Sequence, residues 1–234
     1  MIPARPLFRA LILSFTLLLA PALGGVAPAS SQAASSQTAR ATTETESEYP
    51  WKLAEQQYGI DVYTRPVSGS GIMEFKAEAE INAPLDSIDT LLHDASLFKT
   101  WFPNTPKSKL LKREGEVSYQ WSVLRTPWPI SDRDNVLRAV TKKDREAGIV
   151  QISVVAAPDA HPEQEDYVRV REAHGKWILE SIGERKTRVL FQMHLEPGGG
   201  IPQWLINASV VDTPLEAITN LREAVDADEF ANTN

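Results

Sequence analysis

From Met73 to Ile81 the chain reads Met-Glu-Phe-Lys-Ala-Glu-Ala-Glu-Ile, apolar and charged residues alternating without a break. Side chains on an extended strand point to opposite faces in turn, whereas the apolar stripe of a helix recurs every three to four residues. The segment is therefore a strand with one dry and one wet face, the pattern of an antiparallel sheet that covers a core on one side only. Similar runs occur at "GIDVYTR", "KSKLLKREG", "EVSYQWSVL", "DNVLRAVTK", "GIVQISVVA", "YVRVREAHGKWILESI" and "TRVLFQMHL". A sheet made of such strands needs a cover for its dry face.

Two regions break the alternation with helical spacing. "APLDSIDTLLHDASLFKTW" sets Ile88, Leu91 and Leu92 on one helical face, with Pro84 at a first-turn position. Near the C-terminus, Thr213 as N-cap, Pro214 and Glu216 form a capping box, followed by Leu215, Ile218, Leu221 and Val225 at helical spacing. "IPQWLINASVV" upstream is also helix-compatible, so one long terminal helix kinked at Pro214 is expected. The fold class is α+β: a curved antiparallel sheet wrapped around a long kinked C-terminal helix, the only long amphipathic element left to cover its concave face.

The 42% hydrophobic and 24% charged residues describe one globular domain, and no internal repeat is present. Residues 1–29 stand apart from it. Arg5 and Arg9 precede an apolar run from Ala10 to Ala22, interrupted only by Ser14, Thr16 and Pro21, and Ala27 and Ala29 then follow as A-x-A. This is the pattern of a signal peptide cleaved after Ala29, and the run is shorter than the ~20 residues of a membrane-spanning anchor, the competing reading. A periplasmic or secreted product is expected. The chain has no cysteine, which excludes disulfides and a lipidated N-terminal Cys.

Residues 30–48 are small and polar and read as a linker, which leaves 49–228 as the domain and 229–234 as a tail. A domain of this length buries roughly 70% of its unfolded surface. Loss of Arg5 and Arg9 leaves 22 basic against 31 acidic residues, so the charge moves from −7 to −9. That balance excludes nucleic acid as a partner and disfavours anionic headgroups.

Four segments, in order, carry a family resemblance: "WKLAEQQYGIDVYTR", "LLHDASLFKTWFPN", "PWPISDRDNV" and "PGGGIPQWLINASVVDTPLEAITNLREAV". Over residues 49–228 the chain resembles a START domain, the steroidogenic-acute-regulatory-related lipid transfer family, in its phosphatidylcholine-transfer branch. The resemblance implies a helix-grip fold whose apolar tunnel holds one lipid. It also implies that the loop carrying Trp128, with Pro127 and Pro129 restricting its backbone, forms a gate with the start of the last helix. Arg133 and Asp134 are read as structural, the guanidinium pinning a carboxylate or loop carbonyls.

Departures from the family narrow the ligand. Phosphatidylcholine-binding members carry Arg and Asp where this chain has Phe98 and Phe102, flanking Trp101, and a phosphate against two phenyl rings would lose several kcal/mol of charge-assisted partners. The buried Arg of sterol-binding members is here Ala139, with Arg138 next to it on the opposite strand face. A ligand with a small or uncharged head follows: a fatty acid, neutral glyceride, sterol-like or isoprenoid lipid. Candidate residues of the cavity or gate are Phe98, Phe102, Trp121, Val123, Trp128, Phe191, Met193, Ile201, Trp204 and Leu205.

No catalytic motif, metal site or cofactor is assigned. His93, His174 and His194 are isolated, "HPEQED" with His161 reads as an exposed acidic loop, and "SGSG" around Ser70 lacks the Gly of a nucleophile elbow. "PGGG" matches no nucleotide fingerprint and reads as a hinge. The expectation is a monomeric, non-enzymatic lipid carrier, with transient membrane contact left open. Two alternatives stand beside it: a cyclase or aromatase-like enzyme, which needs an accessible acid or base inside the cavity, and a non-catalytic lipid sensor.

Overall fold

In the computed structural model, residues 49–233 are described, with side chains to Ala227. The signal peptide expected over residues 1–29 and the linker expected over residues 30–48 lie outside the described residues.

Ten strands and three helices follow in the order β1 (Lys52–Gln57), β2 (Ile60–Arg65), β3 (Glu74–Ile81), α1 (Leu85–His93), α2 (Phe98–Trp101), β4 (Lys107–Glu114), β5 (Val117–Leu124), β6 (Arg133–Asp144), β7 (Ile149–Ala156), β8 (Val168–Arg169), β9 (Glu172–Gly183), β10 (Lys186–Glu196) and α3 (Gln203–Thr233). The strands form one sheet in the order β1-β2-β3-β10-β9-β7-β6-β5-β4, all antiparallel along this path. β8 pairs in parallel with the start of β6.

The dry face of β3 is realised as read, with Phe75, Ala77, Ala79 and Ile81 buried, but the other face is only partly wet: Glu80 is exposed, whereas Glu74 is 2% exposed, paired with Arg65 at 2.6 Å and accepting from the Gln192 amide at 2.7 Å. Register carries that dry face across the sheet, placing Ala77 opposite Phe191 on β10 and Phe191 opposite Trp177 on β9. Helix α3 lies against this surface. Val210, Ala217, Leu221 and Val225 join the main core, and Ile218 packs with Ile60, Val62, Ala77 and Ala79. Full burial of side chains such as Ile218 and Leu221 contributes about 1.5–3 kcal/mol each. Arg222 locks the helix in place by donating to the carbonyls of Tyr58 (2.7 Å) and Glu80 (2.9 Å).

Three expectations on element boundaries need correction. Pro84 is the N-cap of α1 rather than a first-turn residue. The run "YVRVREAHGKWILESI" is two strands, because β8 pairs with β6 whereas β9 lies between β7 and β10. Helix α3 continues to Thr233, so the tail assigned to 229–234 begins inside it; it also starts at Gln203, so Thr213 lies within the helix rather than at an N-cap, and Pro214 sits in its interior with no N–H for the Val210 carbonyl.

Candidate functional site

Between the concave face of the sheet, α1 and α2, and the first turns of α3 lies a cavity of about 570 Å3. Its floor is aromatic. Trp177 and Phe191 stack at 3.9 Å, Phe75 meets Phe191 edge-on at 5.0 Å, and Phe102 approaches Phe191 at 6.2 Å. Phe98 and Phe102, one helical turn apart at either end of α2, stack at 4.5 Å. Met193 continues this wall, and Ile201 and Leu205 line the cavity from the α3 side.

Four other predicted residues lie elsewhere. Trp121 and Val123 do not line the cavity: they sit on the convex face in a separate cluster with Val136, covered by Leu111, Ala157 and Tyr167. The cavity faces the alternate residues of β5, Ser118, Gln120, Ser122 and Leu124, because the curl of the sheet turns that side inward. Trp128 and Trp204 are also absent from the lining; they project into solvent with 93% and 72% of their surface exposed. Pro127 and Ile130 line the mouth beside Trp128, and Ile201 does so near Trp204.

The mouth is built from three tied segments. In the Trp128 loop, the Asp132 carboxylate accepts from the Thr126 backbone N–H at 2.8 Å, and the Thr126 hydroxyl donates to the Ile130 carbonyl at 3.0 Å. The loop before β3 is tied to α3 by Asn207, which accepts from the Met73 N–H and donates to the Gly71 carbonyl, each at 3.0 Å. Arg133 joins the third segment. Its guanidinium donates to the Gly198 carbonyl at 3.0 Å, to the Pro197 carbonyl at 3.4 Å and to the Ser131 carbonyl, so it pins the segment that leads into α3. Gly199 has φ +64°, and a Cβ there would come within 2.9 Å of the guanidinium, so the close approach and the left-handed backbone both require glycine.

Arg133 and Asp134 are neighbours that face opposite ways and have separate partners. Asp134, fully buried on the convex side, takes a bidentate pair from Arg169 at 2.9 and 2.8 Å and the Trp121 indole N–H at 2.9 Å. Burial pushes the Asp134 carboxyl up, but the hydrogen bonds from Arg169 and Trp121 outweigh it and hold it below the usual carboxylate range. Arg169 also donates to the carbonyls of Pro158, His161 and Pro162, which fastens the 157–167 segment over Trp121.

Sequence reasoning did not place His93 in the cavity lining. Its Nδ1 lies 3.1 Å from an Asp89 carboxylate oxygen and 2.8 Å from the Asp89 carbonyl, and its Nε2 is 2.7 Å from the Thr141 hydroxyl. The hydrogen bond with the Asp89 carboxylate raises the His93 pKa above its ordinary value, against the opposing effect of burial. Lys143 pairs with the other Asp89 oxygen. The spacing of Asp89 and His93, four apart on α1, was the available signal.

An antiparallel sheet curled around one long helix, with a cavity between them whose mouth adjoins the start of that helix, defines a helix-grip protein. The chain belongs to the START domain family, whose pattern matches residues 31–229. An uncharacterized protein of Pseudomonas aeruginosa is 35% identical over 176 residues, covering 75% of this chain and 87% of that protein. The phosphatidylcholine transfer protein of Rattus norvegicus is 26% identical, covering 67% and 75% respectively. Among solved structures, a STAR-related lipid transfer protein from Xanthomonas axonopodis has 37% identity and a TM-score of 0.70, covering 75% of this chain and 98% of that one.

Proposed function

We propose that this protein is a lipid carrier that holds one apolar or weakly polar lipid in the cavity between the sheet and α3. The observation that carries the reading is the cavity itself: about 570 Å3 with an aromatic floor, within the ~300–1,000 Å3 range of small-molecule sites. Membership of the START family and likeness to the phosphatidylcholine transfer protein support it. Each buried methylene contributes about 0.8 kcal/mol, so a sixteen-carbon chain gains on the order of 10 kcal/mol and escapes slowly unless the mouth first meets another apolar surface. Trp128 and Trp204 supply such contact by transient insertion into a membrane; the acidic charge balance disfavours electrostatic docking on anionic headgroups, and a contact made by apolar side chains depends only weakly on salt.

The carrier is assigned no chemical step. A cyclase-like reaction needs a free acid or base inside, whereas His93 is engaged at both ring nitrogens and Arg133 is spent on three carbonyls. The working site is placed outside the cytoplasm on the strength of Arg5, Arg9, the apolar run and the A-x-A at Ala27 and Ala29. An intact mass of exported protein that still included residues 1–29 would sink that placement. The carrier reading is tested by organic extraction of protein purified from its native host, followed by mass spectrometry. A stoichiometric lipid is expected, and protein that is consistently lipid-free and fails to take up lipid from vesicles overturns it.

A further inference from the structure

On the outer face of the sheet, register sets His174 of β9 directly opposite His194 of β10, and the two rings lie 5.3 Å apart. Side chains alternate along a strand, so this pair points away from the cavity that Trp177 and Phe191 line from the same two strands. Neither histidine carries a metal-binding spacing in the sequence, and only the pairing of β9 with β10 makes them neighbours. His194 is 5% exposed. Its Nε2 lies 3.1 Å from a Glu196 carboxylate oxygen that also accepts from the Ser70 hydroxyl, while its Nδ1 is buried without a hydrogen-bond partner. A carboxylate only accepts, so Nε2 carries the proton and the neutral ring is left with a bare lone pair on Nδ1, a costly state for a buried acceptor.

A carboxylate behind one ring nitrogen, with the other nitrogen bare, is the arrangement of metal-bound histidines: the outer hydrogen bond fixes the tautomer and raises the basicity of the free nitrogen. His174 repeats the pattern more loosely. The Glu74 carboxylate lies 3.9 Å from its Nε2 and is itself held by Arg65 and Gln192. Metal–nitrogen bonds of about 2.0–2.1 Å place two imidazoles on one cation with ring centres roughly 5 Å apart. The observed separation is within a small turn of His174, whose side chain is 57% exposed. Among the described residues no group of three or more His, Cys, Asp or Glu is placed to hold a metal, so the two imidazoles are the protein ligands and water fills the remaining positions.

We propose that His174 and His194 bind one divalent transition-metal ion of the zinc or copper type, through His194 Nδ1 and a ring nitrogen of His174, with Glu196 as the positioning residue behind His194. Imidazole suits zinc and copper, whereas calcium and magnesium take oxygen ligands and are not expected here. The site lies on the opposite face of the sheet from the lipid, so it stands independently of the carrier reading.

The test is isothermal titration calorimetry of the untagged protein, stripped of metal with EDTA and freed of the chelator, against zinc chloride and calcium chloride. Zinc should bind saturably at one ion per chain and calcium should not. His174→Gln should weaken zinc binding tenfold or more with the melting curve of wild type, as expected of an exposed side chain. Glu196→Gln keeps both rings and removes the charge behind His194, and it should weaken zinc by roughly tenfold, the usual effect of losing an outer-shell partner. His161→Gln, outside the pair, should leave zinc binding unchanged. Electron paramagnetic resonance of the protein with one equivalent of copper(II) should show two coordinated nitrogens, reduced to one in His174→Gln. That readout and the exposed His174 keep the test valid if His194→Gln does not fold. No saturable zinc binding, equal binding of calcium, affinity unchanged in folded His174→Gln or Glu196→Gln, or loss of binding in His161→Gln each overturns the proposal.

Discussion

Replacing Asp134 should be the most damaging single change in the domain, and the structure sets its size. The carboxylate is fully buried and holds Arg169, 6% exposed, through two hydrogen bonds, and Trp121 through a third. Asp134→Leu leaves the Arg169 charge buried against carbonyls alone, a loss of about 3–5 kcal/mol, and also strands the Trp121 N–H. For a domain of this size each kcal/mol moves Tm by roughly 2–4 °C, so a fall on the order of 10 °C is expected in thermal and urea unfolding followed by circular dichroism. Arg169→Met should cost a similar amount. The double variant should cost at least ~2 kcal/mol less than the sum of the two, because neither charge is then left unpaired.

Protonation gives an independent check on the same pair. The folded carboxyl lies below its unfolded value near 4, so its stabilisation is complete above that pH and is lost as pH falls through the folded pKa. The double variant should therefore show a flatter stability profile below about pH 4 than the wild type. Strict additivity of the two single variants would refute the reasoning, since it would mean that Asp134 and Arg169 do not hold each other.

Arg133→Ala should lower Tm and speed amide exchange in residues 197–206, at about 1–3 kcal/mol for each carbonyl left without a partner; an unchanged Tm with altered lipid selectivity would contradict the pinning role. Phe98→Arg combined with Phe102→Asp should raise binding of phosphocholine lipids relative to neutral ones, and a wild type that already prefers phosphocholine lipids would show that the stacked rings were misread. Trp128→Ala should slow lipid transfer between vesicles several-fold with Tm unchanged, as expected of a side chain 93% exposed, and a disulfide between introduced cysteines in the 126–131 loop and the first turn of α3 should stop transfer reversibly; exchange at full rate in the cross-linked protein rules the gate out. His93 has a raised pKa, so its stabilisation is present below the unfolded value near 6.5 and fades as pH rises through the folded pKa; the urea midpoint of wild type should fall between pH 5.5 and 8 relative to His93→Gln.

Alternation in the sequence determined most of the strands, because the dry face of an antiparallel strand is written at every second position and is read locally. β1 escaped this reading: five of its six residues are exposed, so Lys52–Gln57 has no periodicity, and its place comes from the turn at Tyr58 and Gly59 that pairs it with β2. The helix that covers the sheet was legible from Ile218, Leu221 and Val225, and the family from its motifs in order.

Which face of β5 looks inward was not legible. Val117, Tyr119, Trp121 and Val123 are the bulkier set and suit a lipid cavity better by composition, yet the structure gives the cavity Ser118, Gln120, Ser122 and Leu124. Alternation states that a strand has two faces, but which one becomes concave depends on the curl of the whole sheet and on what covers the other side. Here that cover is the 157–167 segment, fastened by Arg169 to Asp134 across 35 positions of chain. Local periodicity carries no record of so distant a contact, so only the tertiary structure turned the polar side of β5 toward the ligand.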